Sequence, residues 1–297
     1  YKYCNYIIQF GTNAGVATRH GFNMTAGLFS ERRADGLRLV NFDPHMSASG
    51  ENADMWVPIV PSTDAAAALS IANVLVNELN LIDREYLTKR TNGPALVSDA
   101  TGRILRAPET NKALYMDADG TAKPYDECAE PQLEGSFTAN GEACTTAFDL
   151  YKKHVARYTP EYQEEITTVP ADTIRQIAKE LGAAARIGET IDIDGVTLPY
   201  RPAAVDAFSG ITRHKHAFLT CWAVFTLNNL IGSTNAVGGF CGFDPACNGW
   251  TDENPNMSWR PAVWEPEGLI DNHQLLLAFP NSYYKKVYEG DYTPTTM

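Results

Sequence analysis

The sequence predicts an α/β protein with two α/β/α domains and a β-rich insertion between them. Three observations lead there. Strand-length apolar runs alternate with helical stretches over residues 1–92; residues 93–145 break into short β-like pieces; and a strand, glycine turn and long helix recur between residues 203 and 232. Alternation at this spacing implies a mostly parallel sheet covered on both faces. The expected domains are 1–92, 93–145, 146–240 and an irregular, loop-rich 241–297.

The elements follow in order. Tyr6, Ile7, Ile8 and Phe10 form an apolar run ending at Gly11, which reads as a strand buried on both faces. Asn23 to Ala34 has helical composition, with Met24, Leu28 and Phe29 at core spacing. Asp35-Gly36 breaks the chain before a second strand carrying Leu37, Leu39, Val40 and Phe42. Met55 to Val60 is a third apolar run, closed by Pro61. In the alanine-rich helix after it, Thr63 or Asp64 can cap the amides of Ala66 and Ala67, while Leu69, Ala72, Leu75, Val76 and Leu79 mark one face.

Ala95 to Val97, Ile104 to Leu105 and Leu114 to Met116 are β-like, separated by Thr-Gly and Asp-Gly turns. Helices are expected at Thr146 to Tyr158 and from Pro170, which suits a first helical turn, to Gly182. Thr190 to Leu198 alternates around Asp194-Gly195 as a hairpin. Ala203 to Phe208 is a short buried strand, and Lys215 to Leu230 a helix with Gly232 beyond its end. Phe218, Trp222 and Phe225 at helical spacing read as core.

With 297 residues, 44% of them apolar and 20% charged, the chain has material for a buried core. Its net charge of -12 repels phosphate backbones and anionic lipid heads, so nucleic-acid and membrane-surface roles are disfavoured. The longest apolar stretch, Ala217 to Ile231, falls short of the roughly 20 residues a membrane span needs. Six cysteines lie far apart with no Cys-x-x-Cys, which reads as scattered thiols; Cys241 and Cys247 are the closest pair. The start at Tyr1, without a signal pattern, and the uncapped end predict an internal segment of a longer chain.

Three stretches sit where a doubly wound sheet collects its ligand, at the carboxyl ends of strands. They are Gly11-Thr12-Asn13-Ala14, Asn41-Phe42-Asp43-Pro44-His45 and Pro61-Ser62-Thr63-Asp64. The first puts small residues where a diphosphate approaches backbone amides. Asp43 stands where a carboxylate can accept ribose hydroxyl protons. Asp64 either caps its helix or presents a carboxylate to the two donors of a guanine edge. His45 lines such a site or faces water. The missing G-x-G-x-x-G counts against a plain nicotinamide or flavin dehydrogenase.

The order of strand, F-G-T-N, N-F-D-P, W-V-P-I-V-P-S-T-D and alanine-rich helix resembles the guanine-dinucleotide domain of molybdopterin oxidoreductases of the dimethyl sulfoxide reductase superfamily. Ser62 replaces the glycine of that family's P-G-T-D. In the second half, Ser209-Gly210-Ile211-Thr212-Arg213-His214, a helix and Val237-Gly238-Gly239 are similar to its G-x-x-x-H, helix, G-G return. The resemblance spans residues 1–239. It implies Rossmann-like domains and a bis-molybdopterin guanine dinucleotide carrying molybdenum or tungsten. Gly11, Thr12, Asn13 and Ala14 would hold diphosphate, Asn41 to His45 ribose, and Ser62, Thr63 and Asp64 guanine. Ser209, Gly210, Arg213 and His214 would contact pterin or phosphate.

The resemblance further implies two-electron or oxygen-atom transfer on a small-molecule substrate, with the metal ligand outside this chain. It implies an iron-sulfur cluster, carried in a more N-terminal part of the protein or on an electron-transfer partner, and a membrane-anchor partner. A periplasmic or membrane-associated location goes with those partners. The arm and hairpin look most like the phenylacetyl-CoA oxidoreductase and thiosulfate-reductase-like branch. A second reading is a scaffold that kept the fold and lost the cofactor, as in the large peripheral subunit of respiratory complex I. Retention of Asp43, Thr63, Asp64 and Arg213 speaks against it.

Overall fold

The computed structural model describes residues 2–13 and 22–240, with the backbone alone for residues 22–25. All of them belong to one compact unit, Tyr1–Cys241. Strand β1 (Tyr6–Phe10) leads through α1 (Phe22–Ala34) to β2 (Arg38–Phe42), then α2 (Ala48–Glu51), β3 (Met55–Val57) and α3 (Asp64–Asn73), which widens into a π turn at Val74–Glu78. After α4 (Arg84–Arg90) come β4 (Leu96–Ser98), β5 (Leu114–Met116), β6 (Ala122–Pro124), β7 (Ser136–Ala139) and β8 (Glu142–Thr146). Helices α5 (Ala147–Val155), α6 (Pro160–Thr167) and α7 (Ala171–Ala184) follow. Then come β9 (Thr190–Ile193), β10 (Val196–Pro199), β11 (Ala203–Ala207), a 3-10 turn Ser209–Thr212 and α8 (Ala217–Leu230).

The main sheet is parallel with strand order β11-β1-β2-β3. The strand, glycine turn and helix that recur between residues 203 and 232 thus extend this sheet rather than open a second one. β11 is hydrogen-bonded directly to β1, because its apolar Ala203 and Val205 complete the face that Tyr6, Ile8 and Phe10 begin. The chain therefore runs from β1 to one side and returns on the other, which makes the β1–β11 boundary a topological switch point.

One face of the sheet, with Ile8, Phe10, Val40, Phe42 and Val205, packs on α3, α7 and α8. Phe10 and Phe42 stack at 4.4 Å. The fully buried Ala67, Ala68 and Ala72 of α3 let neighbouring helices approach closely. The opposite face carries Ile7, Leu39 and Ala204 with Phe29 of α1. Leu28, expected in the core, is exposed because α1 buries only the narrow stripe that includes Phe29. The free edge of β11 is closed by Asn228 of α8, whose amide pairs with both the N–H and the C=O of Val205, each at 2.8 Å. That satisfies an edge that would otherwise invite strand addition.

The insertion forms a three-stranded antiparallel sheet, β4-β8-β7, and a β5-β6 ribbon, around Leu96, Leu114, Met116, Ala139 and Cys144. Its pieces at 136–146 were not legible as separate strands, since Thr, Ser, Glu and Asn dominate them. The β9-β10 hairpin turns at Asp194 and Gly195, both with positive φ, as a type I′ turn requires. Arg201 is buried against Asp83, with two hydrogen bonds of 2.9 and 2.7 Å, and Asp83 also caps α4 through the Tyr86 amide. Among the described residues no helix is long and apolar enough to cross a membrane. Cys4, Cys128, Cys144 and Cys221 are free thiols, and the Cys241–Cys247 pair lies outside the described residues.

Candidate cofactor cleft

A cleft of about 390 Å³ opens at the carboxyl ends of β1, β2 and β11. Its walls hold Gly11, Thr12, Asn13, Asp43, Pro44, Ser62, Asp64, Ser209, Gly210 and Arg213, together with Ile59, Pro61 and Phe208. The three sequence stretches and the second-half turn thus meet at one place. Ala14 lies outside the described residues. Asn41, Phe42, His45, Thr63 and His214 are not among the lining residues. Phe42 belongs to the core, Asn41 is buried in the sheet face below, and His45 is exposed to solvent. Ile59 was missed because its run reads only as a buried strand.

Gly11 and Gly210 fix the floor. The Gly210 amide donates to the Gly11 carbonyl at 2.9 Å, and a Cβ on Gly210 would come within 2.5 Å of that oxygen. Gly11 has φ of +55° and donates its own amide to the Phe42 carbonyl. These glycines therefore serve the contact of two turns, and Gly11 offers no free amide to a phosphate. The amides of Thr12 and Asn13 make no hydrogen bond to a described residue and are the available donors. Asn13 is oriented by Ser49, whose amide and hydroxyl both donate to its Oδ1, at 3.0 and 2.7 Å.

Neither side chain at the start of α3 caps it. Thr63 occupies the N-cap but donates its hydroxyl to the Val60 carbonyl, while the Ala66 and Ala67 amides bond to the Thr63 carbonyl. Asp64 is one residue too far along to cap, and it is 6% exposed. Burial raises its carboxyl above the ordinary 3.8; its own backbone amide and then His214 oppose that shift, and Asp43 adds to it. Among the described residues Asp64 has no ion-pair partner. Nor has Arg213, which is exposed at the rim. Asp43 accepts the His45 amide at 3.0 Å, forming a turn that keeps the carboxylate at the strand tip. Among the described residues His214 leaves Nε2 buried without a partner, its Nδ1 accepting the His216 amide.

The donor set fits the implied cofactor. A buried carboxylate without a cation suits the paired donors of guanine, and a guanidinium without a carboxylate suits diphosphate. Among the described residues no group of three His, Cys, Asp or Glu side chains could hold a metal ion.

The sulfite dehydrogenase of Allochromatium vinosum is 30% identical over 251 residues, covering 76% of this chain and 26% of its own length. The chain belongs to the dimethyl sulfoxide reductase superfamily. The chlorate reductase alpha chain of Ideonella dechloratans is 30% identical over 52% of this chain, and dimethyl sulfoxide reductase DmsA of Escherichia coli 27% over 80%. These alignments cover 19% and 23% of those two relatives, so the chain spans about a quarter of the length of such family members or less. No family model matches. Acetylene hydratase from Pelobacter acetylenicus superposes with a TM-score of 0.48 at 18% identity, over 78% of this chain and 22% of its own.

Proposed function

We propose that this chain forms the guanine-dinucleotide cradle in the catalytic subunit of a molybdenum or tungsten bis-molybdopterin oxidoreductase. The carrying observation is that one cleft holds a buried Asp64 carboxylate and an Arg213 guanidinium, neither with an ion-pair partner among the described residues. When bound, the metal and its dithiolenes would supply two-electron or oxygen-atom chemistry. This chain's residues position the far end of the cofactor. Asp64 would accept from guanine, Asp43 would receive ribose hydroxyls, and Arg213 with the Thr12 and Asn13 amides would hold diphosphate.

Relatives named for sulfite, chlorate and dimethyl sulfoxide support a small oxo compound of sulfur or chlorine as the substrate. Iron-sulfur and membrane-anchor subunits, and a location at or outside the cytoplasmic membrane, belong to the same reading. The test is to purify the intact protein from molybdenum- or tungsten-supplied cells, hydrolyse its bound pterin cofactor and measure metal and released guanine nucleotide. Both should be present in the wild type. Metal without guanine nucleotide would overturn the guanine-dinucleotide assignment, and absence of both would favour a cofactor-free scaffold.

A further inference from the structure

Directly beneath the cleft floor, three polar side chains stand in register on adjacent strands. Gln9 of β1 faces Asn41 of β2 on one side and Asp206 of β11 on the other. Gln9 and Asn41 are fully buried, yet among the described residues both amide atoms of Gln9 and the Oδ1 of Asn41 have no hydrogen-bond partner. Unpaired buried groups each cost about 1 to 3 kcal/mol, so three at one spot call for an account. Their chemistry is complementary. Gln9 needs a donor for Oε1 and an acceptor for Nε2, while Asn41 needs a donor for Oδ1. Asn41 already donates Nδ2 to the Thr12 carbonyl at 3.3 Å, and Asp206 uses Oδ1 to accept the Ala207 amide at 2.8 Å.

We infer that Asp206, Gln9 and Asn41 form a hydrogen-bonded ladder across β11, β1 and β2, with the Asp206 carboxyl as its terminal proton donor and the Thr12 carbonyl as its terminal acceptor. Oδ2–H of Asp206 donates to Gln9 Oε1, Gln9 Nε2 donates to Asn41 Oδ1, and Asn41 donates to Thr12. Each orphan atom is then used once, and the count closes only when Asp206 is protonated. Burial holds that carboxyl up to about 6, against the pull of the Ala207 amide. Asp206 lies on the same sheet face as Ala204, whereas α7 and α8 pack on the other face with Tyr6 of β1, and α8 carries Cys221 but no Asp, Glu, Lys, Arg or His. On α7, Arg175 pairs with Glu78 and Glu161, and Glu180 with Arg38, beside Asp172 and Lys179. On α1, Arg32 pairs with Asp35 and Arg33 with Asp54, beside Glu31.

The ladder makes Gln9, Asn41 and Asp206 positioning residues. It ties the turn after β1 to the turn after β11, the two turns that the proposed function gives to the cofactor. That consequence rests on the proposed reading; the ladder itself does not. Thermal unfolding of the full chain without cofactor tests it at about pH 5, where the carboxyl keeps its proton. Asp206→Asn, which still donates, should match the wild type, whereas Asp206→Val should lower the midpoint by several degrees. In a Gln9→Leu background the valine substitution should cost nothing further. Above about pH 6 the wild type should fall toward Asp206→Val while Asp206→Asn does not.

Equal midpoints for the two Asp206 variants, or a valine penalty unchanged by Gln9→Leu, would overturn the ladder. If Gln9→Leu does not fold, a wild-type crystal structure grown near pH 5 decides. Gln9 bonded to both neighbours supports the ladder, and Gln9 bonded elsewhere or to nothing refutes it. Loss of guanine from the intact protein would sink the cofactor reading without touching either result.

Discussion

At the scale of single residues, Asp64 is pulled two ways. Its carboxyl is raised by burial, so in the empty chain the folded state binds its proton more tightly than the unfolded state does. The contribution to stability is therefore full below the ordinary 3.8 and is lost as pH rises through the raised value. Asp64→Asn removes that loss. The cofactor-free variant should unfold at a higher temperature than the wild type near neutral pH, while retaining guanine dinucleotide roughly 10- to 100-fold less well, about 1 to 3 kcal/mol. Calorimetry of the empty chain and nucleotide content after dilution read the two signs separately. A variant that gains no stability and loses no nucleotide would leave Asp64 without a role in guanine binding. The residue types of this site were legible because strand-end Asp and Gly carry a chemical reason. The disposition of Gly11 was not, since its amide is used by Phe42, a partner 31 positions away.

Among elements, those with a strong local signal were read from sequence: β1, β2, the type I′ hairpin and the helices opened by Thr146 and Pro170 all fall where turn and cap chemistry place them. What escaped was pairing. Nothing local in Ala203–Ala207 says that it joins β1, and nothing in α8 says that Asn228 closes the strand's edge. Asn228→Leu should leave the Val205 N–H and C=O unpaired and cost about 2 to 4 kcal/mol, measured by denaturant unfolding. The hairpin and the sheet are tied through Arg201, whose guanidinium reaches the Glu189 and Tyr200 carbonyls as well as Asp83. Truncating Asp83 to Ala strands a buried guanidinium and is expected to cost about 3 to 5 kcal/mol, whereas replacing both partners by apolar residues should cost less than the single change. Additive losses in that cycle would show that the two side chains act independently.

For the molecule as a whole, α8 decides the surface. Helical spacing puts Phe218 and Trp222 in the core, but they are 71% and 65% exposed, with Leu219 at 65% beside them. The helix is apolar nearly all round, so periodicity could not distinguish its buried stripe, Thr220, Ala223, Val224, Leu227 and Asn228, from its outer face. Phe218 and Trp222 meet edge to face at 5.4 Å, a contact made in the open rather than inside a core. Water-exposed aromatic area of this kind drives association when nothing covers it. The full chain produced alone should therefore self-associate with increasing concentration and bind a hydrophobic dye. Phe218→Ser combined with Trp222→Ser should shift sedimentation toward monomer and lower dye binding severalfold. Neither side chain lines the cleft, so the double variant should leave guanine-nucleotide binding at Asp64 unchanged. If association persists in the double variant, the contact lies elsewhere on the chain; if nucleotide binding falls with it, α8 bears on the cleft through His214 and the turn that precedes the helix.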